Sequence, residues 1–489
     1  MLRLRIHSLG LLTLAALSLL CACRKDEPQR PNVLLITIDT LRADRIDLEH
    51  GGQAVMPNLR ALARESLQYP SALAPRAKTT PAIASLLTGL YPHEHGVREL
   101  LQPIKTSMPM LQERLREKGW HTAAIIGNFV LKDQYSGLSR GFETWREDLP
   151  DTQGVPPENV PQRRAASLTD AALEELAKPK GSRPWMLWLH YMDPHGIYDA
   201  PGEHRVFAPS AVDPINEDPT QDPKPYIAQY NVPQQARLAD GRIDAAAVRA
   251  LYDAEARYVD TQLARIFEWL RANGQYENTI LIVTADHGES LGEHNYWFEH
   301  GRNAYEANSA VPLIIRAPDM RPGRGSPDVS LCDLAPSLLS HLSLDPLLPP
   351  PDERLTRGEI VPGLYSDGKL PSRAVFTEKI ERSGEERVVQ HKAVRMGTWK
   401  RVRRFTTLEG QLRIVGEELY DLQADPRETR NLMNDPPADA PLARLDAELL
   451  RFARADVQFA DLARKLEEQR ERLEREDPGA ARVLKALGY

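Results

Sequence analysis

Apolar and polar positions alternate between two patterns over the first two thirds of the chain. Residues 32–38 read Asn-Val-Leu-Leu-Ile-Thr-Ile and run into Asp39. An almost unbroken apolar run of that length predicts a parallel strand covered on both faces. The pattern returns at 122–127, at 185–190 and, most clearly, at 279–285. Between these runs, residues 56–66, 82–87, 108–118 and 245–272 carry apolar side chains at helical spacing. Pro57 and Pro81 stand where two of those helices begin, the position a fixed proline φ favours. Strands and helices alternating at these distances predict an α/β fold with a doubly wound, mostly parallel sheet. Open sheets of this kind gather ligands at the carboxyl ends of their strands. The chain places Asp39, Asn128, Asp193-Pro194-His195 and Asp286-His287-Gly288-Glu289 there. Residues 201–233 have little periodicity and many prolines, which predicts a long surface loop beside that edge.

Beyond the proline-rich stretch at 345–351 the pattern changes. Short alternating segments at 374–377, 392–395 and 412–422 predict strands of a smaller α+β subdomain over 352–435, after a larger domain over 32–351. Residues 436–489 predict a helical tail. Its run from 465 to 476 is almost wholly charged and reads as a solvated helix face.

The amino terminus has another character. Arg3 and Arg5 precede an apolar run over 9–20, too short to favour a membrane span, so residues 1–22 read as an export signal. Leu20-Cys21-Ala22-Cys23 has the form of a lipobox, which would leave Cys23 carrying a lipid and residues 23–31 as a tether. Arg24 follows, not the Asp that retains lipoproteins at the inner membrane. The expected location is therefore the bacterial envelope, lipid-anchored at the outer membrane and facing the periplasm. Of three cysteines only Cys332 lies in the folded body, so no internal disulfide is expected.

Composition narrows the chemistry. At 489 residues, 42% hydrophobic and 27% charged, the chain suits a globular protein with two cores. A net charge of −7 argues against a nucleic-acid surface. An anionic substrate would then need local positive charge, most simply a bound metal. Asp39, Asp286, His287 and Thr79 supply two carboxylates, an imidazole and a hydroxyl, enough to hold one divalent cation. A histidine beside carboxylates favours zinc or manganese over calcium or magnesium, which prefer oxygen. Thr79 precedes the helix that Pro81 opens, where the positive end of the dipole favours an anion. His195 and His300 are candidates to protonate a leaving oxygen, because histidine titrates near neutral pH. Lys78 is a candidate to hold an anion; His93, His95 and His294 are read as structural.

The run from Lys78 through Thr79-Thr80-Pro81-Ala82-Ile83 to Ala84-Ser85-Leu86-Leu87-Thr88-Gly89-Leu90-Tyr91-Pro92 resembles the nucleophile segment of the sulfatases, within the alkaline phosphatase superfamily. Val311-Pro312-Leu313-Ile314 and Glu418-Leu419-Tyr420-Asp421-Leu422 are similar to later family segments. The resemblance implies that Asp39, Asp286 and His287 are metal ligands, that Thr79 is nucleophile and ligand, and that His195 contacts substrate. Departures accompany it. Thr79 stands where sulfatases have Cys or Ser, Thr40 where many have a second metal Asp, and Ile83 where they have Arg. His287 replaces a frequent Asn, and Asn128 and Val130 replace a Lys and a His that grip sulfate, which makes Asn128 the substrate-binding candidate there. Classical sulfatases oxidise Cys or Ser to formylglycine, and a threonine cannot become that aldehyde. The implied activity is hydrolysis of a sulfate ester or phospho(di)ester through Thr79, with phosphorus slightly favoured. The alternatives are a transferase moving a phosphoryl-linked head group in the envelope, or a binding protein that has lost catalysis. The oligomeric state is left open.

Overall fold

In the computed structural model, the described residues are 30–149, 162–209, 211–218, 220, 224–348, 357–359, 372–383, 387–408, 411–456 and 462–486. The expected signal, the lipobox with Cys23, most of the tether, and the proline-rich boundary at 349–351 lie outside them.

The central sheet has eight strands: β1 (Asn32–Ile38), β2 (Leu67–Leu73), β3 (His121–Ile126), β4 (Thr144–Arg146), β5 (Trp185–Tyr191), β6 (Thr279–Ala285), β7 (Ala310–Arg316) and β8 (Gly323–Arg324). Their spatial order is β8-β2-β7-β6-β1-β5-β3-β4. Every pairing from β6 through β1, β5 and β3 to β4 is parallel. β7 runs antiparallel to both of its neighbours, β6 and β2. β1, β5 and β6 are buried along their whole lengths, as their continuous apolar runs require.

Helices α1 (Pro57–Arg64), α2 (Thr79–Thr88), α3 (Leu111–Glu117), α4 (Ala165–Ala177), α5 (Ala245–Ala272) and α6 (Leu334–His341) accompany the sheet. The 28-residue α5 packs against α1 and α4. Asp244 caps it by accepting from the amides of Ala246 and Ala247. α2 differs from the amphipathic helices: all ten of its residues are buried. It begins at Thr79, two residues before Pro81, so the hydroxyl stands in the first turn.

The C-terminal subdomain is an antiparallel sheet of β9 (Val375–Ser383), β10 (Arg387–Met396), β11 (Trp399–Leu408) and β12 (Gln411–Asp421), in that order. The sequence pattern missed β11, whose Lys-Arg-Val-Arg-Arg stretch is too basic to read as a half-buried strand. α7 (Leu442–Ala455) covers this sheet through Leu445, Leu449 and Phe452, which share a core with Phe376, Val394, Phe405 and Leu419. α8 (Leu462–Glu476) and α9 (Pro478–Ala486) return to the central-sheet region, where Leu473, Ala480 and Leu484 join the main core. No helix among the described residues is long and apolar enough to cross a membrane.

A buried ionic cluster joins the central-sheet region to the C-terminal subdomain. Arg98, which follows α2, holds Asp456, just after α7, by two bonds of 3.1 and 2.7 Å, and reaches Glu378 of β9 at 3.1 Å. Lys392 of β10 completes it, 2.7 Å from Glu378 and 3.2 Å from Asp456. Two cations thus meet two anions, which is what burial of charge demands.

Candidate active site

The carboxyl ends of β1, β5 and β6 meet the first turn of α2. Asp39 follows β1 directly, and Asp286 and His287 follow β6; all three are fully buried. The Thr79 hydroxyl lies 3.5 Å from Asp39 Oδ2 and 3.5 Å from His287 Nε2. His287 Nε2 is 3.4 Å from Asp286 Oδ2 and 3.8 Å from Asp39 Oδ1. The four residues named for a metal therefore converge on one point, although 247 positions separate the first from the last in the sequence.

Their local bonds aim them. Asp286 Oδ1 accepts from the Thr40 amide at 3.2 Å and the His287 amide at 2.8 Å. Asp286 Oδ2 has no hydrogen-bond partner, and neither does Asp39 Oδ1. His287 Nδ1 lies 3.0 Å from the Gly288 carbonyl, which can only accept. In the neutral ring Nδ1 therefore carries the proton and Nε2 presents a lone pair to the carboxylates. Two orphaned buried carboxylate oxygens, an imidazole lone pair and a hydroxyl make a donor set for a divalent cation. Ligand atoms around a tetrahedral zinc, each about 2.1 Å from it, lie about 3.4 Å apart, close to the separations here. The residues fit the metal.

One member was missed. His190, the sixth residue of β5, is fully buried, with Nε2 3.3 Å from Asp39 Oδ2. Asp39, His190 and Asp286 offer ligand atoms within 4.8 Å of one another. The available signal was a lone polar residue closing the run Trp-Met-Leu-Trp-Leu-His. Asn128, considered for substrate, donates its amide to Asp39 Oδ2 at 2.5 Å and accepts from the Val130 amide at 2.9 Å. Both ends of that side chain are engaged within the protein.

The two candidate proton donors are brought together. His300 lies 4.3 Å from His287 and 5.1 Å from His195, between ring centroids. His195 Nδ1 faces the Gly196 carbonyl at 3.0 Å, which leaves Nε2 free. His300 Nδ1 lies 3.3 Å from Glu289, whose other oxygen receives the Tyr198 hydroxyl at 3.2 Å. Lys78 is not solvated: it is buried and paired with Glu99, and its charge acts on His300. His95 bonds Ser85 of α2 at 2.9 Å, in keeping with a structural part.

Charge in the site is unbalanced. Burial alone would raise the Asp39 carboxyl, but the His190 hydrogen bond and the nearby His195 and His287 hold it at about 2. Burial and the charge of Asp39 push Asp286 up. Burial pushes Glu289 well above the usual carboxylate range and Glu299 to about 8, and pulls His300 well down. Closely spaced carboxylates that resist joint ionisation are the electrostatic mark of a cation site.

Residues 31–344 match the sulfatase family. The chain belongs to it. This sulfatase-family hydrolase also matches, over residues 292–455, the C-terminal family of N-sulphoglucosamine sulphohydrolase. It is 25% identical to a choline-sulfatase of Rhizobium meliloti (strain 1021), over 89% of this chain and 88% of that one. It is 28% identical to the multifunctional alkaline phosphatase superfamily protein PehA of Trinickia caryophylli, over 59% and 68%. Among solved structures, one in complex with its substrate D-glucosamine-2-N,6-O-disulfate shares the fold at a TM-score of 0.66 and 20% identity, covering 92% of this chain and 99% of that one. The phosphonate monoester hydrolase of Agrobacterium radiobacter does so at 0.62 and 22%, covering 88% and 97%.

Proposed function

We propose that this member is a metal-dependent hydrolase of small anionic esters with Thr79 as nucleophile, and that phosphorus esters are turned over somewhat better than sulfate esters. The observation that carries the proposal is the Thr79 hydroxyl at 3.5 Å from both Asp39 and His287, in the first turn of a buried helix. A zinc or manganese ion held by Asp39, Asp286, His287 and Thr79 would supply positive charge that eases loss of the hydroxyl proton and neutralises the ester oxygens. The dipole of α2 adds to that effect at the same atom. His195, with Nε2 free, stands where a proton can be given to the leaving oxygen and later taken from water; His300, which burial holds neutral, is suited to accept a proton there and not to donate one. The product of attack is an ester on Thr79, which carries a methyl group and cannot collapse by the elimination open to a hydrated aldehyde. Water must attack the central atom, and a phosphoryl ester is the easier of the two to release in this way. Relatives named for sulfates, and a structural neighbour named for phosphonate monoesters, are in keeping with both classes. We further propose that a lipid on Cys23 holds the protein at the outer membrane, facing the periplasm.

The test is the initial rate on 4-nitrophenyl sulfate, phosphate monoester and phosphate diester with added zinc or manganese, with Thr79→Ala beside the native protein. A phosphorus ester should be the faster substrate, and Thr79→Ala should lower the rate at least about 1,000-fold. Preference for sulfate would overturn the argument from release, and an undiminished variant would remove Thr79 from the chemistry.

A further inference from the structure

We propose that His190 is a positioning residue which, with Asn128, clamps Oδ2 of Asp39 so that this carboxylate meets the cation through Oδ1 alone. The inference rests on the metal reading above and assigns His190 a part outside the ligand set.

One hydrogen-bonded chain runs from Trp188 through Thr37 and His190 to Asp39. Thr37 and His190 are register partners across β1 and β5, so their side chains share a face. The Trp188 indole N–H, which can only donate, gives its proton to Thr37 Oγ1 at 2.9 Å. The Thr37 hydroxyl has two acceptors within reach, His190 Nδ1 at 2.8 Å and the Leu189 carbonyl at 3.4 Å. The carboxylate at Nε2 can only accept, so the neutral ring keeps its proton there and the Thr37 hydroxyl donates to Nδ1. Nδ1 of His190 is then an acceptor, and its ring proton sits on Nε2, which donates to Asp39 Oδ2. A protonated Nε2 has no lone pair for a metal. The opposite tautomer would set a lone pair against a buried carboxylate oxygen with no proton between them.

Asn128 supplies the second half of the clamp. Its Oδ1 accepts from the Val130 amide, so its Nδ2 must be the group facing Asp39, and it donates to the same Oδ2. Oδ2 thus has two nitrogen donors besides the Thr79 hydroxyl at 3.5 Å, while Oδ1 has none, and Oδ1 is the oxygen 3.8 Å from His287 Nε2. Outer partners of this kind orient a ligand and tune its affinity without touching the ion.

The test uses the zinc-loaded protein and two kinds of readout. X-ray absorption at the zinc edge should count one imidazole, from His287, in the native protein and in His190→Gln and His190→Leu alike. Two imidazoles in the native protein, falling to one in the variants, would make His190 a ligand and overturn the proposal. Zinc affinity, read by chelator competition, should fall about 10- to 100-fold in His190→Leu and be largely restored in His190→Gln, which keeps an N–H donor. Unchanged affinity in His190→Leu would overturn it as well. Thr37→Val, which removes the hydroxyl at nearly constant volume, should shift affinity in the same direction, and melting of the metal-free variants checks their folding. A native protein that takes up no zinc would instead bring down the metal reading itself, a result distinct from either of the others.

Discussion

At the scale of residues, the site is four ligand groups and the bonds that aim them. Asp39, Asp286 and His287 could be found in the sequence because each ends an apolar strand run, where a buried carboxylate or imidazole has no purpose in packing. Thr79 was visible only through its motif, since a threonine before a helix is otherwise a cap. His190 also closes an apolar run, but the strand continues through Tyr191, and only the pairing of β5 with β1 sets it beside Thr37 and Asp39. Removal of one ligand should expose the role of the set. Asp286→Ala is expected to lose stoichiometric zinc and to lower the rate by at least about 100-fold, read by elemental analysis of the dialysed protein beside its turnover. Full zinc content in that variant would remove Asp286 from the ligands.

At the scale of elements, α2 is the piece on which position depends. A helix buried on every side cannot tilt without disturbing several neighbours, which holds Thr79 opposite His287. Ile83 is fully buried in the main core, where sulfatases carry an arginine. Ile83→Ala should therefore lower the unfolding free energy by about 2–5 kcal/mol in a denaturant titration, through the cavity it leaves. A change below about 0.5 kcal/mol would show that the site relaxes and that α2 is less tightly held. Other elements were harder to foresee. β2 contains Pro70, which reads as a breaker, and the pairing with β7 shifts register around Pro312, so neither strand interior needs the missing amides. β11 is strongly basic, yet Arg401 is buried because Asp446 at 2.8 Å and Glu417 at 2.9 Å meet its guanidinium.

At the scale of the whole molecule, the Arg98, Glu378, Lys392 and Asp456 cluster ties the central-sheet region to the C-terminal sheet and to the residue after α7. Burial alone would raise the Glu378 carboxyl, but Arg98 and Lys392 hold it at about 2, below its ordinary 4.5. Asp456 is held low by Lys392 and Arg98 against the same effect of burial. A depressed carboxyl binds fewer protons folded than unfolded, so its stabilisation is complete above about pH 4.5 and fades as pH falls toward 2. Acid unfolding monitored by the near-ultraviolet signal should show this loss below about pH 4.5, and Asp456→Ala should destabilise by about 3–5 kcal/mol at neutral pH by leaving buried cations short of an anion. A variant as stable as the native protein would mean that the cluster does not join the two parts.

The sequence by itself determined the alternation of strands and helices, the doubly wound sheet, the strand ends that bear Asp39, Asp286 and His287, and the family through its nucleophile segment. These are local properties of period and motif. What only the tertiary structure decided is which side chains share a bond across the sheet. Asn128 turned to Asp39, and His190 to Thr37 and Asp39, because strand order and register brought distant residues within 3.3 Å or less. A buried polar atom takes whichever partner the packing offers, and that offer is made in three dimensions.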